Sequence, residues 1–184
     1  MTDVTLPDLL RPGLDVVFVG INPSIYSARK GHYFARPVNR FWPCLSRSVL
    51  SLKARQALCV DRLEPVHDRI LPAHGMGFTD LVKRPTVKAA ELSRQEMEAG
   101  AAELAAKLDG LGARVLCFQG ITAYLPFHRI LGFGKDKPSR GLQPQEIGST
   151  RLFVVPSPSP ANAHVSRDEQ TAWYDRVAEH LDRG

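Results

Sequence analysis

Residues 15–24 read DVVFVGINPS. The apolar run Val16 to Val19 suits a strand buried on both faces, since no water-facing side chains alternate with it. Gly20-Ile21-Asn22-Pro23-Ser24 then ends the run. Proline biases its predecessor toward extended geometry, so Asn22 is poorly placed to start a helix, and its carboxamide is presented at a strand end. On residue type alone Asn22 reads either as a cap of the local backbone or as a fixed polar group facing a ligand.

Two further short apolar runs look like buried parallel strands, ARVLCFQG at Ala113–Gly120, which also lacks alternation, and RLFVVP at Arg151–Pro156, and a short fourth strand is expected around Gly77–Val82. Helical patterns lie between them. Asn39–Leu50 follows a proline, and Ser93–Leu108 opens with the capping-box spacing Ser93-Arg94-Gln95-Glu96. A helix over Ile121–Leu131 is expected to break near Pro126, and a terminal one covers Ser166–Leu181, while residues 138–145 read as a polar, turn-rich loop. Strand alternating with helix predicts an α/β three-layer sandwich, a central, mostly parallel sheet of four to five strands flanked by helices. Ligands of such sheets gather at the carboxyl ends of strands, which selects GINPS and the PSPSPANAH stretch at 156–164.

The chain has 184 residues, 43% apolar and 23% charged, as expected of one globular domain spanning 1–184. No apolar run approaches the ~20 residues of a membrane helix, and the acidic, proline-broken start MTDVTLPDLLRPG does not read as a secretory signal. A cytosolic, nucleoid-associated if prokaryotic, monomeric protein without a membrane partner is therefore expected. Cys44, Cys59 and Cys117 show no metal-ligand spacing, nor do the six histidines, and GINPS lacks the glycine pattern and lysine of a phosphate loop. No metal and no cofactor are expected. Lys plus Arg exceed Asp plus Glu by five, which is compatible with a polyanion partner.

The segment after GINPS interleaves aromatics with cations: Tyr33-Phe34-Ala35-Arg36-Pro37, then Asn39-Arg40-Phe41-Trp42. Such a pattern suits stacking on a base and touching phosphates. Phe41 and Trp42 read as core residues of the helix starting there, whereas Phe34 sits in a loop bounded by Gly31 and Pro37. GINPS, GHYFARPVNRFW at 31–42, GFTDLVKRPT at 77–86 and VPSPSPANA at 155–163, in this order, resemble the signature of the mismatch-specific uracil/thymine-DNA glycosylase family. The resemblance covers the chain from about Pro12 to Ser166.

That resemblance implies a monofunctional glycosylase that flips a damaged or mismatched pyrimidine out of DNA and hydrolyses its N-glycosidic bond. By position in the family motif, Asn22 would hold the attacking water, backbone N–H groups near Ile21 and Phe34 would bind the uracil oxygen, and Phe34 would stack on the base. Gly20, Pro23, Ser27 and Ser157 would complete the base site, Ser27 beside the pyrimidine C5. Asp80 is a departure, because several relatives carry Lys or Asn there. It reads as a turn cap or as a carboxylate that activates water or stabilises the sugar cation. Residues 157–164 read by composition as a rigid linker, and by resemblance as the loop that fills the space left by the flipped base. Ser159, Pro160, Ala161, Asn162, Ala163 and His164 would contact DNA there, with Ala161-Asn162 at a tip where relatives place Leu or Arg. Lys30, Arg36, Arg40, Lys83, Arg84 and Arg167 are expected around the mouth, with the first five as phosphate contacts. The partner implied is DNA carrying uracil or a mismatched pyrimidine. A non-catalytic nucleic-acid-binding module and a nucleoside hydrolase are the competing readings.

Overall fold

The computed structural model describes residues 4–108, 110–134 and 137–182. Five strands form one sheet: β1 (Val16–Gly20), β2 (Met76–Asp80), β3 (Val115–Gln119), β4 (Gly141–Ile147) and β5 (Thr150–Val155), in the order β2-β1-β3-β5-β4. The pairings β1–β2, β1–β3 and β3–β5 are parallel and β4 is antiparallel to β5. Among the described residues six α-helices accompany them: α1 (Ile25–Lys30), α2 (Phe41–Arg47), α3 (Leu52–Ala57), α4 (Arg94–Leu108), α5 (Ile121–Ile130) and α6 (Arg167–Asp182). This is the α/β sandwich expected, with both sheet faces covered.

The absence of alternation in the central strands has its reason in two cores. Val16 and Phe18 of β1, Phe78 of β2 and Phe153 of β5 point to the layer built from α2 and α6, where they meet Phe41, Leu45 and Tyr174. Their neighbours Val17, Val19, Leu116 and Val154 point the other way, onto Leu104 of α4 and Tyr124 and Phe127 of α5. Each fully buried side chain of this size contributes about 1.5–3 kcal/mol relative to exposure. Phe18 packs edge-on against both Phe41 and Tyr174, at 5.0 and 6.2 Å between ring centroids.

Three local expectations are corrected. The 138–145 loop is largely β4, an edge strand whose pairing slips between Leu142 and Glu146, and Pro144 lies in that irregularity, where no ladder donor is required. Helix α5 runs through Pro126 to Ile130: the ring removes one interior donor, and burial of Tyr124, Pro126 and Phe127 against the sheet holds the helix in spite of it. The helix expected over 39–50 ends at Arg47, because Ser48 turns extended and its hydroxyl caps Leu50 N–H to start a 3-10 turn leading to α3. Directly after Pro23, α1 begins, capped by the Ser24 hydroxyl on Ser27 N–H. Cys44 and Cys117 are buried and Cys59 is exposed, all as free thiols. Among the described residues no helix is long and apolar enough to cross a membrane.

The N-terminal arm lies on the outer edge of β2, with Leu9 and Phe78 exchanging backbone bonds of 2.9 and 3.0 Å. Helix α4 presses on the chain just past β2 through Gly100, where an added Cβ would stand 2.1 Å from the Leu81 carbonyl oxygen. Gly100→Ala therefore lowers stability by about 1–3 kcal/mol in urea denaturation, although alanine is the better helix former by ~1 kcal/mol.

Candidate active site

A cavity of about 540 Å³ opens where β1, β2, β3 and β5 end, and GINPS, Phe34, Asp80 and the 157–162 loop all line it. Parallel register sets Gly20 beside Asp80. The approach is so close that a Cβ on Gly20 would stand 2.3 Å from Asp80 Oδ1 and 3.8 Å from the Phe34 ring. Glycine is required there by contact, and the carboxylate fills the space of the missing side chain. Beyond the strands the pairing continues as a zipper. Leu81 and Val82 N–H donate to the Gly20 and Ile21 carbonyls (2.9 and 2.8 Å), and Thr86 N–H donates to that of Pro23 (3.2 Å).

The zipper fixes Asn22. Its Nδ2 donates to the Arg84 carbonyl and to Thr86 Oγ1, both at 2.8 Å. A carbonyl can only accept, so the amide orientation is determined, and Oδ1 is the end of the side chain left with acceptor capacity. Asp80 is 5% exposed, and among the described residues its Oδ2 has no hydrogen-bond partner. Burial pushes its carboxyl up to about 7, Lys83 opposing and Asp8 adding to the shift.

Phe34 closes the slot from the side. Its ring stacks on Phe41 at 4.2 Å and 21°, and its backbone lies in the left-handed region at φ 52°. That unfavourable conformation is held by neighbours on both flanks. The fully buried Asp68 accepts from Tyr33 N–H at 2.8 Å and pairs with His32 Nδ1 at 2.9 Å, while Ser27 Oγ accepts from Ala35 N–H at 3.1 Å. Ser27 is thus buried in α1 as a tie for this loop as well as a cavity wall. Ile21 and Pro23 line the same wall.

The 157–164 loop is braced from within. Asn162 Nδ2 donates to the Ser157 carbonyl at 3.0 Å, and Arg40 N–H to that of Pro158 at 3.0 Å. Arg40 is corrected as a phosphate contact: its guanidinium donates to the carbonyls of Ser159 (3.2 Å), Asn162 (2.7 Å) and Val165, facing the loop instead of solvent. Asn162 likewise turns its amide inward, leaving Pro160, Ala161, Ala163 and His164 as the exposed residues. Lys83 is corrected too, since its ammonium pairs with Asp8 and donates to Tyr33 Oη at 3.1 Å. Arg84 pairs with Glu96 at 2.7 Å. Lys30 and Arg36 are exposed, and Arg36 lines the mouth; Arg167 is exposed at the start of α6.

Sequence reasoning missed Leu6, Thr86, Gln119 and Gly120 as cavity residues. Gln119 sits on the floor, its Oε1 accepting from the buried Tyr174 hydroxyl at 2.9 Å, and Gly120, at φ 113°, backs onto Ser157. The end of β3 was the signal available, by the same strand-end rule that selected GINPS. Among the described residues no group of three or more His, Cys, Asp or Glu is placed to hold a metal ion.

The cavity thus lies at the carboxyl edge of a mostly parallel sheet beside the proline-rich 157–162 loop, where α/β folds place their ligands. The family model described as the uracil DNA glycosylase superfamily matches residues 7–182, and the chain belongs to that superfamily. The fold is similar to the solution NMR structure of a Methanosarcina acetivorans protein provisionally described as a uracil DNA glycosylase, with a TM-score of 0.57, 22% identity and 99% of each chain covered.

Asp80 ordinarily would ionise near 3.8 and in the fold does so at about 7, so the folded chain keeps a proton that the unfolded chain releases between these values. The stability this confers is present in acid and is lost as pH rises through about 7. Asp80→Asn is accordingly more stable than the parent at pH 8, by an amount on the order of a few kcal/mol, and equal to it near pH 3, as read by urea denaturation at the two pH values.

Proposed function

We propose that this chain is a single-domain, monofunctional DNA glycosylase that takes an everted uracil, and other damaged or mismatched pyrimidines, into the slot and hydrolyses the N-glycosidic bond. Membership of the superfamily supports a DNA glycosylase; the order of motifs supports its mismatch-specific uracil/thymine branch. The observation that carries the reading is that a fixed Asn22 Oδ1 and a buried Asp80 carboxyl, whose Oδ2 has no hydrogen-bond partner among the described residues, line one cavity walled by Phe34.

In this mechanism Phe34 stacks on the base, and backbone N–H groups near Ile21 and Phe34 receive its carbonyl oxygen. As the bond between C1′ and the base nitrogen breaks, its electron pair leaves with the base, and those donors stabilise the anion as an oxyanion hole does. Asn22 Oδ1 accepts one hydrogen bond from a water aimed at C1′. Asp80 takes the proton of that water as its oxygen bonds to carbon, and before that its negative charge favours the oxocarbenium sugar. The products are free base and an abasic site. Lys30 and Arg36 contact phosphates, and Ser159, Pro160, Ala161, Ala163 and His164 enter the duplex. With Asn162 Nδ2 engaged by the Ser157 carbonyl, the exposed tip residues Pro160, Ala161 and Ala163 carry no polar side chain for an opposing guanine, which supports relaxed opposing-base preference and activity on single strands.

A uracil-bearing oligonucleotide treated with the protein and then alkali breaks at the uracil; binding without breakage marks a non-catalytic module, and cleavage of free nucleosides alone a nucleoside hydrolase. Uracil opposite guanine, opposite adenine and in single strands is cut at rates within about tenfold of one another, a span worth ~1.4 kcal/mol, and strict dependence on guanine overturns that part. Asn22→Ala and Asp80→Asn each lose at least about a hundredfold in rate while DNA binding persists. The parent rate rises with pH through about 7 as Asp80 ionises, and Asp80→Asn flattens that rise.

A further inference from the structure

Asp80 shares its corner of the cavity with the N-terminal arm. Leu6, 1% exposed, reaches the cavity wall, and the Tyr33 hydroxyl donates to the Pro7 carbonyl at 2.9 Å. Between Leu6 and the Leu9 bridge to β2 lies Asp8. Its carboxylate accepts from the Thr79 hydroxyl at 2.7 Å, from the Lys107 ammonium of α4 at 3.1 Å and from the Lys83 ammonium. Lys83 also donates to Tyr33 Oη and lies 5.7 Å above the Tyr33 ring.

Two carboxylates thus face one ammonium, and the arm's carboxylate holds it. The charged and titratable groups acting on Asp80 are Lys83 from the segment after β2, Asp8 from the arm and Tyr33 from the Phe34 loop, with Lys107 of α4 reaching it through Asp8. Partial burial opposes ionisation of Asp8, but Lys83, Thr79 and Lys107 hold its carboxyl below the usual range. An Asp80 paired with Lys83 would stay ionised far into acid and be a poor proton acceptor.

We infer that Asp8 is a positioning residue for the reaction: by holding the Lys83 ammonium it denies Asp80 an ion pair and leaves that carboxyl free to take a proton from water. The inference rests on the reading of Asp80 as proton acceptor, and deepens it. It also gives the arm a part in the chemistry besides covering the edge of β2.

The test follows Asp80 by carboxyl carbon NMR in the free protein and, alongside, the acid limb of the rate–pH profile on a uracil-bearing single strand. Asp8→Asn moves both the Asp80 midpoint and the limb about one pH unit lower, and Lys83→Met moves both higher. Asp8→Glu, which keeps the charge, restores the parent midpoint. An arm that merely anchors the chain lowers the melting temperature in both single variants and leaves the midpoint in place, which overturns the inference; so do shifts of the same sign in both. A limb abolished by Asp80→Asn but indifferent to Asp8→Asn overturns the inference alone. A midpoint that moves while the limb stays fixed overturns the reading of Asp80 as proton acceptor, and the inference with it.

Discussion

The contact between the end of β1 and the end of β2 governs the rest of the site. Parallel register brings Gly20 against Asp80, and the lack of a side chain on one strand is what admits the carboxylate of the other. Any larger residue at position 20 would drive Asp80 outward and crowd Phe34. Because β1 is buried on both faces, the strand cannot shift to relieve such crowding. The same register starts the zipper that continues through Leu81, Val82 and Thr86 and orients the Asn22 amide. A backbone pairing rule, continued past the formal strands, thereby sets the position of both groups assigned to chemistry.

The central strands were legible because a strand covered twice needs an unbroken apolar run, and Val16–Val19 and Val115–Phe118 have one. Strand β4 was not, because an edge strand half in water has the composition of a loop, Pro144 included. Helix α1 was not legible because six residues are too few to show a 3.6-residue period, although Ser24 after a proline is a recognisable cap. In the site, strand ends pointed to Asn22 and to the 157–164 loop and the aromatic–cation pattern to Phe34, while Asp80 came from resemblance. Asp68 and Asp8 left no local trace: they act on Tyr33 and Thr79 across 35 and 71 residues of chain. Arg40 shows the opposite failure. Its type and its aromatic neighbours suit a phosphate, yet three carbonyls of a distant loop determine where its guanidinium points.

The bracing of the 157–164 loop and of Phe34 follows one pattern. In each case a segment with irregular backbone is tied by a charged or amide side chain to main-chain atoms: Arg40 and Asn162 for the loop, Asp68 for the Phe34 turn. Such bonds stabilise more when one partner is charged, about 1.5–3 kcal/mol against about 1 for neutral pairs. Order here is provided by the protein's own bonds, which lowers the entropy lost on binding a ligand.

The sheet has two outer strands, and neither offers a clean ladder. Along β2 the arm residue Leu9 already occupies the backbone groups of Phe78, while in β4 a register slip around Pro144 disrupts the run. Unsatisfied strand edges are the template on which copies of a protein add to one another. With Phe78 of one margin engaged and the other margin irregular, self-association by strand addition is disfavoured on both sides, so the hazard of copies knitting into a common sheet is met by the fold itself.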